Sequence, residues 1–143
     1  MATIVAWNDT YSVGIHEIDE QHQILVELIN KLYTALARRA SNGIVEGVLA
    51  ELVRYTRVHF ATEECLMRVF GYPGYEEHKV AHDRLVARVE LFLTDFRERG
   101  PKGGLDLLYF LREWLMRHIN EEDKAYSPHV AREGRRGWSR PFG

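Results

Sequence analysis

Apolar side chains recur along this chain about once per helical turn, in four long stretches separated by breakers. The first stretch, about Asp19 to Ala40, carries Leu25, Val26, Ile29, Leu32, Tyr33 and Leu36 on one face. Ser41, Asn42 and Gly43 end it, and Ser41 or Asn42 can cap the next helix. The second runs from about Ile44 to Phe70 and stops at GYPG, 71–74. The third spans about Tyr75 to Glu98, with Leu85, Val89, Phe92, Leu93 and Phe96 inward, and GPKGG at 100–104 reads as the next break. The fourth, about Leu105 to Glu122, turns Leu108, Leu111, Trp114, Leu115 and Ile119 to one side. Short connections force neighbouring helices to run in opposite directions, so the pattern predicts an all-α, antiparallel up-down-up-down four-helix bundle. Residues 1–18 read as an extended N-terminal arm on a single domain of residues 1–130, and 131–143 as a basic, flexible tail.

The stripe is broken by polar residues at inward positions. On the second helix His59, Thr62 and Glu63 stand where leucine would continue the face. An unpaired polar group in a core costs about 2–7 kcal/mol, so these side chains need partners. His22 lies near the start of the first helix, His78 and His82 open the third, and His118 and Asp123 close the fourth. In an up-down-up-down bundle these ends coincide, so seven inward polar residues converge on one end of the interior. His59/Glu63 and His78/His82 are i, i+4 pairs on one face. His118 and Asp123 are five apart, which at about 100° per residue leaves them roughly 140° out of phase on an α-helix. That predicts a widened turn or a helix end there. It also requires the second helix to overhang the cluster, since His59 sits well before its end.

Buried charges require a counter-charge or a metal, and neither lysine nor arginine occupies the inward phase near these residues. Five imidazoles and two carboxylates are a metal-site inventory. They exceed what one four-coordinate zinc accepts. Five imidazole nitrogens, two bridging carboxylates and one solvent bridge fill all but one position of two octahedral ions, and the remaining position is open to a small ligand. Iron suits such mixed imidazole and carboxylate ligation, although manganese, cobalt or zinc can occupy the same donors.

His22, His59-x-x-x-Glu63, His78-x-x-x-His82 and His118-x-x-x-x-Asp123 resemble, in order and spacing, the signature of the hemerythrin family. Trp7, the run Ser12-Val-Gly-Ile15 and Ile18-Asp-Glu-Gln-His22 resemble its bacterial members, and the likeness covers about residues 7–127. The resemblance implies a non-haem centre of two iron ions (Fe2+/Fe3+) bridged by Glu63, Asp123 and a solvent oxo or hydroxo group. It implies that His78, His82 and His118 hold one iron and that His22 and His59 hold the other, which keeps the open position. It further implies an O2 pocket of Leu25, Phe60, Trp114, Leu115 and Ile119, and a hydrogen bond from Tyr126 to the bridging glutamate. The implied function is reversible O2 binding for storage, delivery or buffering, with no catalysis. A sensor acting through a separate partner, and a di-iron oxidase, peroxidase or nitric-oxide-handling enzyme, are the alternatives. The chain contains no Glu-x-x-His motif of the ferritin-like di-iron enzymes, which favours binding over oxidation.

Composition narrows the partners. A net charge of −2 gives no reason to expect nucleic acid, and the apolar runs are too short for membrane insertion. The N-terminus lacks the basic start and apolar core of a signal peptide, and one cysteine forms no internal disulfide, so the expected location is cytoplasmic. Expected partners are O2, small anions such as azide, and an unidentified protein that receives the O2. His16 and His129 fall outside the four seams and read as surface residues, and Cys65 as a small buried or half-buried thiol without a nucleophilic role.

Overall fold

The computed structural model describes the backbone of residues 4–142 and, of these, every side chain except those of 101 and 134–142. Its helices are α1 (His16–Ala37), α2 (Asn42–Val69), α3 (Tyr75–Arg99), α4 (Pro101–Arg117) and α5 (Lys124–Phe142), with a six-residue π-helical turn, His118–Asp123, joining the last two. α1 packs on α2 and α4, and α3 packs on the same two neighbours. That closes the predicted four-helix bundle, with α4, the π turn and α5 forming its fourth column.

The core follows the apolar stripes. Leu25, Ile29 and Leu32 of α1, Leu49 and Leu52 of α2, Leu85 and Val89 of α3, and Leu108, Leu111 and Leu115 of α4 are buried in one continuous cluster. The Ser41 hydroxyl accepts a hydrogen bond from the Ile44 amide and caps α2, as its sequence position suggests. The arm is tied down by two side chains of α1. The Asn30 carboxamide takes the Ile4 and Val5 amides on its oxygen and donates to the Val5 carbonyl. Asp19 accepts from the Val13 amide and the Ser12 hydroxyl. A short 3-10 turn at Asp9–Tyr11 interrupts the arm, and α1 begins at His16, three residues before the predicted start.

The connection between the third and fourth helices differs from the sequence reading. Only Gly100, at φ 69°, breaks the chain; α4 already starts at Pro101 and includes Gly103 and Gly104. These two glycines are there for proximity. A Cβ on Gly103 would lie 2.9 Å from the Phe96 Cα, and one on Gly104 would lie 3.0 Å from the Leu36 side chain. The first turn of α4 thus packs directly against the α3 backbone, a use of glycine that composition alone does not separate from a loop.

At the other end α2 overhangs the polar cluster, as His59 requires. Its last turns are covered by α5, where Met67, Tyr126 and Val130 form a second buried group with Ile15, Leu66, Phe70, Tyr72 and Tyr75 against it. The fourth column therefore continues well past Glu122. The expectation of a flexible basic tail at 131–143 falls almost wholly on side chains outside the described residues. Among the described residues, no helix is long and apolar enough to cross a membrane.

Candidate metal centre

All seven predicted ligand residues, His22, His59, Glu63, His78, His82, His118 and Asp123, are buried and stand together. Their donor atoms form two overlapping groups, one of His22, His59, Glu63, His118 and Asp123, the other of Glu63, His78, His82 and His118. The pairing of His22 with His59, and of His78 with His82, follows the sequence reading. The resemblance places His118 with His78 and His82 alone, and here it borders both groups.

The π turn produces this convergence. Its wider winding brings Asp123 back under His118, so that His118 Nε2 lies 3.0 Å from Asp123 Oδ2. An α-helix would have sent the carboxylate and imidazole donors apart. Inserted π turns recur at functional sites for this reason.

Donor atoms about 2.1 Å from one ion and at right angles to each other lie roughly 3 Å apart. Glu63 Oε1 is 2.9 Å from both His59 Nε2 and His118 Nε2, and 3.5 Å from His82 Nε2. Asp123 Oδ2 is 2.6 Å from His22 Nε2, and Asp123 Oδ1 is 3.7 Å from His78 Nε2. Yet the Nε2 atoms of His22, His59, His78 and His82 and both Asp123 oxygens have no aligned hydrogen-bond partner, although all are buried. Close donors that do not point at one another point into shared space. Such orphaned atoms fit a set of metal ligands, because leaving them without any partner would be costly.

Three of the outer nitrogens are engaged, while His22 Nδ1 is buried without a hydrogen-bond partner. His59 Nδ1 donates to Gln21 Oε1 at 2.8 Å, His82 Nδ1 to Glu64 Oε2 at 2.9 Å, and His118 Nδ1 to Glu122 Oε2 at 2.8 Å. A proton held on Nδ1 leaves the Nε2 lone pair facing inward. Tyr126 is buried and donates to Glu63 Oε2 at 2.7 Å, which places its hydroxyl where the resemblance implies. Gln21, Glu64 and Glu122 are hydrogen-bond partners of the cluster that the sequence reading misses. Glu122 has a visible signal, four residues after His118 on one face. Gln21 and Glu64 serve histidines on other helices, which no spacing announces.

Electrostatics adds a reason for a cation. Burial, and then the neighbouring His59, pushes His22 down to about 2. Burial likewise pushes His82 down to about 2. Burial would raise Glu63, but His59 and His118 outweigh it and hold the carboxyl well below the ordinary range. Burial and the Glu63 charge push Asp123 well above it. Against its own burial, His118 is raised by Asp123 and Glu63. Imidazoles that resist protonation, as His22 and His82 do, keep their lone pairs free for a metal ion, which would be the largest charge in such a site.

The expected pocket residues Leu25, Phe60, Leu115 and Ile119 are buried in the core next to this cluster, and Trp114 is half-buried against it. Phe60 stacks on His82 with ring centroids 3.7 Å apart, and Trp114 stacks on His118 at 5.0 Å. Two peripheral expectations change. His129 is half-buried, its Nε2 donating to the Phe70 carbonyl at 2.8 Å, and so secures α5 to the end of α2. Cys65 is exposed rather than buried; His16 is exposed as expected.

A family model described as the hemerythrin HHE cation binding domain matches residues 13–130. A bacteriohemerythrin of Pseudomonas aeruginosa is 40% identical over 126 residues, covering 88% of this chain and 80% of its own. A hemerythrin of Sipunculus nudus is 31% identical over 120 residues, covering 84% of this chain and 88% of its own. The crystal structure of wild-type hemerythrin superposes with a TM-score of 0.80 at 28% identity, covering 90% of this chain and 98% of that one. With its buried cluster of histidines and carboxylates in a four-helix bundle, this chain belongs to the hemerythrin family.

Proposed function

We propose that this protein binds O2 reversibly at a non-haem di-iron centre, as an oxygen-storing, delivering or buffering protein rather than an enzyme. The observation that carries the reading is the set of buried, orphaned donor atoms on the histidines and Asp123, gathered around Glu63. When bound, two ferrous ions supply the two electrons that O2 takes up and returns.

The chain's own residues do the rest. His22, His59, His78, His82 and His118 would hold the ions through Nε2, with Glu63 and Asp123 as the carboxylate ligands between them. Gln21, Glu64 and Glu122 fix three of the rings by holding the Nδ1 proton. Tyr126 holds Glu63 by one oxygen and leaves the other turned toward the histidines. Leu25, Phe60, Leu115 and Ile119 exclude bulk water and anions from the open position; small anions such as azide that do enter compete with O2 there. Five imidazoles, with two carboxylates, favour reversible binding over strong oxidation. The single exposed thiol, Cys65, fits the reducing cytoplasm.

Metal stoichiometry tests this directly. Protein purified from iron-replete cells should hold two irons per chain by elemental analysis. One metal per chain, or tightly held zinc, would refute it.

A further inference from the structure

A cleft of about 340 Å³ runs between α3 and α4, lined by Arg84 and Arg88 on one side and Arg117 on the other, together with Glu122 and Trp114, the expected pocket residue that is only half-buried. All three arginines are exposed. Arg88 lies over the Phe110 ring, 4.8 Å from its centroid. Glu113 also lines the cleft, but it faces Arg112 at 3.9 Å. A chain of net charge −2 thus carries a locally positive face.

That face is in contact with the metal centre twice. The half-buried Trp114 indole stacks on His118, with centroids 5.0 Å apart and planes 24° apart. Glu122 accepts the His118 Nδ1 proton at 2.8 Å. His118 is the imidazole that borders both groups of donors. A single side chain, Trp114 or Glu122, therefore separates the cationic surface from His118, the imidazole whose Nε2 lies within both groups of donors.

We propose that this cleft is the electron-entry face, where an acidic one-electron donor protein docks to return the diferric centre to the diferrous state. The proposal rests on the di-iron reading. An iron centre that loses O2 together with its electrons is left diferric and inert toward O2, and recovery needs two electrons. Two reduced donor molecules supply one each. Every encounter oxidises one donor and reduces one ferric ion, and no covalent bond between the proteins forms or breaks. An acidic donor is repelled by the molecule as a whole and attracted by the arginines, so the charge both permits and orients the encounter. Transient encounters of this kind need only a small interface.

The test uses the iron-loaded diferric protein and, as probe, an acidic [2Fe–2S] ferredoxin reduced photochemically without air. Arg84→Gln/Arg117→Gln and Arg84→Glu/Arg117→Glu double variants are compared with the unchanged protein. Iron content comes first: without two irons in the unchanged protein, it is the di-iron reading that fails, and this proposal falls with it. Given two irons, stopped-flow reduction by ferredoxin should slow by about fivefold or more in the Glu variant, less in the Gln variant, and lose most of its salt dependence. Calorimetric binding of oxidised ferredoxin should weaken in the same order. Reduction by an uncharged reduced phenazine should stay unchanged. A smaller slowing with ferredoxin, or an equal slowing with the phenazine, overturns the proposal.

Discussion

Replacing Glu63 by alanine is expected to strip at least one iron from the protein and lower its melting temperature by about 10 °C. The carboxylate stands between two helices' worth of donors, with Oε1 2.9 Å from both His59 and His118 and Oε2 receiving the Tyr126 proton at 2.7 Å. On the di-iron reading its loss removes a bridging ligand while leaving the histidines in place. An ion held at a thousandfold its Kd contributes about 4 kcal/mol to stability, and its loss lowers the melting temperature of a chain this size by about 2–4 °C per kcal/mol. Glu63→Gln separates ligation from packing. The amide keeps the volume and still accepts from Tyr126, but it bridges ions poorly. This variant should lose iron while its metal-free melting temperature stays close to that of the metal-free parent. A Glu63→Ala protein with two irons and an unchanged melting temperature would show that Glu63 is not a ligand.

The second large effect is expected at Leu115. It is fully buried and lies three residues before His118, on the same face of α4 and one turn away. Truncation to alanine removes most of a core side chain without touching a donor atom, so two irons should remain. The cavity should cost about 2–5 kcal/mol. If Leu115 also shields the open position, water and anions will reach the centre more easily. The oxygenated protein should then autoxidise faster, and azide should bind the diferric form more quickly. If Leu115 is packing alone, stability falls while both rates stay as they were. Stopped-flow azide binding and the decay of the oxygenated absorption band, measured on both proteins, decide between these outcomes.

Much of the site was legible because burial constrains polar residues so strongly. His59 and Glu63 occupy leucine positions on α2, and the up-down topology carries His22, His78, His82, His118 and Asp123 to the same end. Even the mismatch between His118 and Asp123 was readable, as a five-residue spacing that an α-helix cannot reconcile and that the π turn His118–Asp123 does. What escaped the sequence was what depends on contact between elements. Gly103 and Gly104 have the composition of a loop, and only the approach of Phe96 and Leu36 shows them to be helical packing positions. Gln21 and Glu64 are exposed-phase residues until the neighbouring helix brings His59 and His82 to them. His129 reads as a surface residue because its partner is the Phe70 carbonyl, a backbone atom without any sequence signature.

The most direct test of the central claim is the visible absorption spectrum of the reduced, iron-loaded protein, recorded without air, then in air, then after flushing with argon. Reversible O2 binding predicts a new band that appears in air, disappears under argon and returns on each further cycle. A spectrum that does not respond to air, or a change on first exposure that argon never reverses, would contradict it.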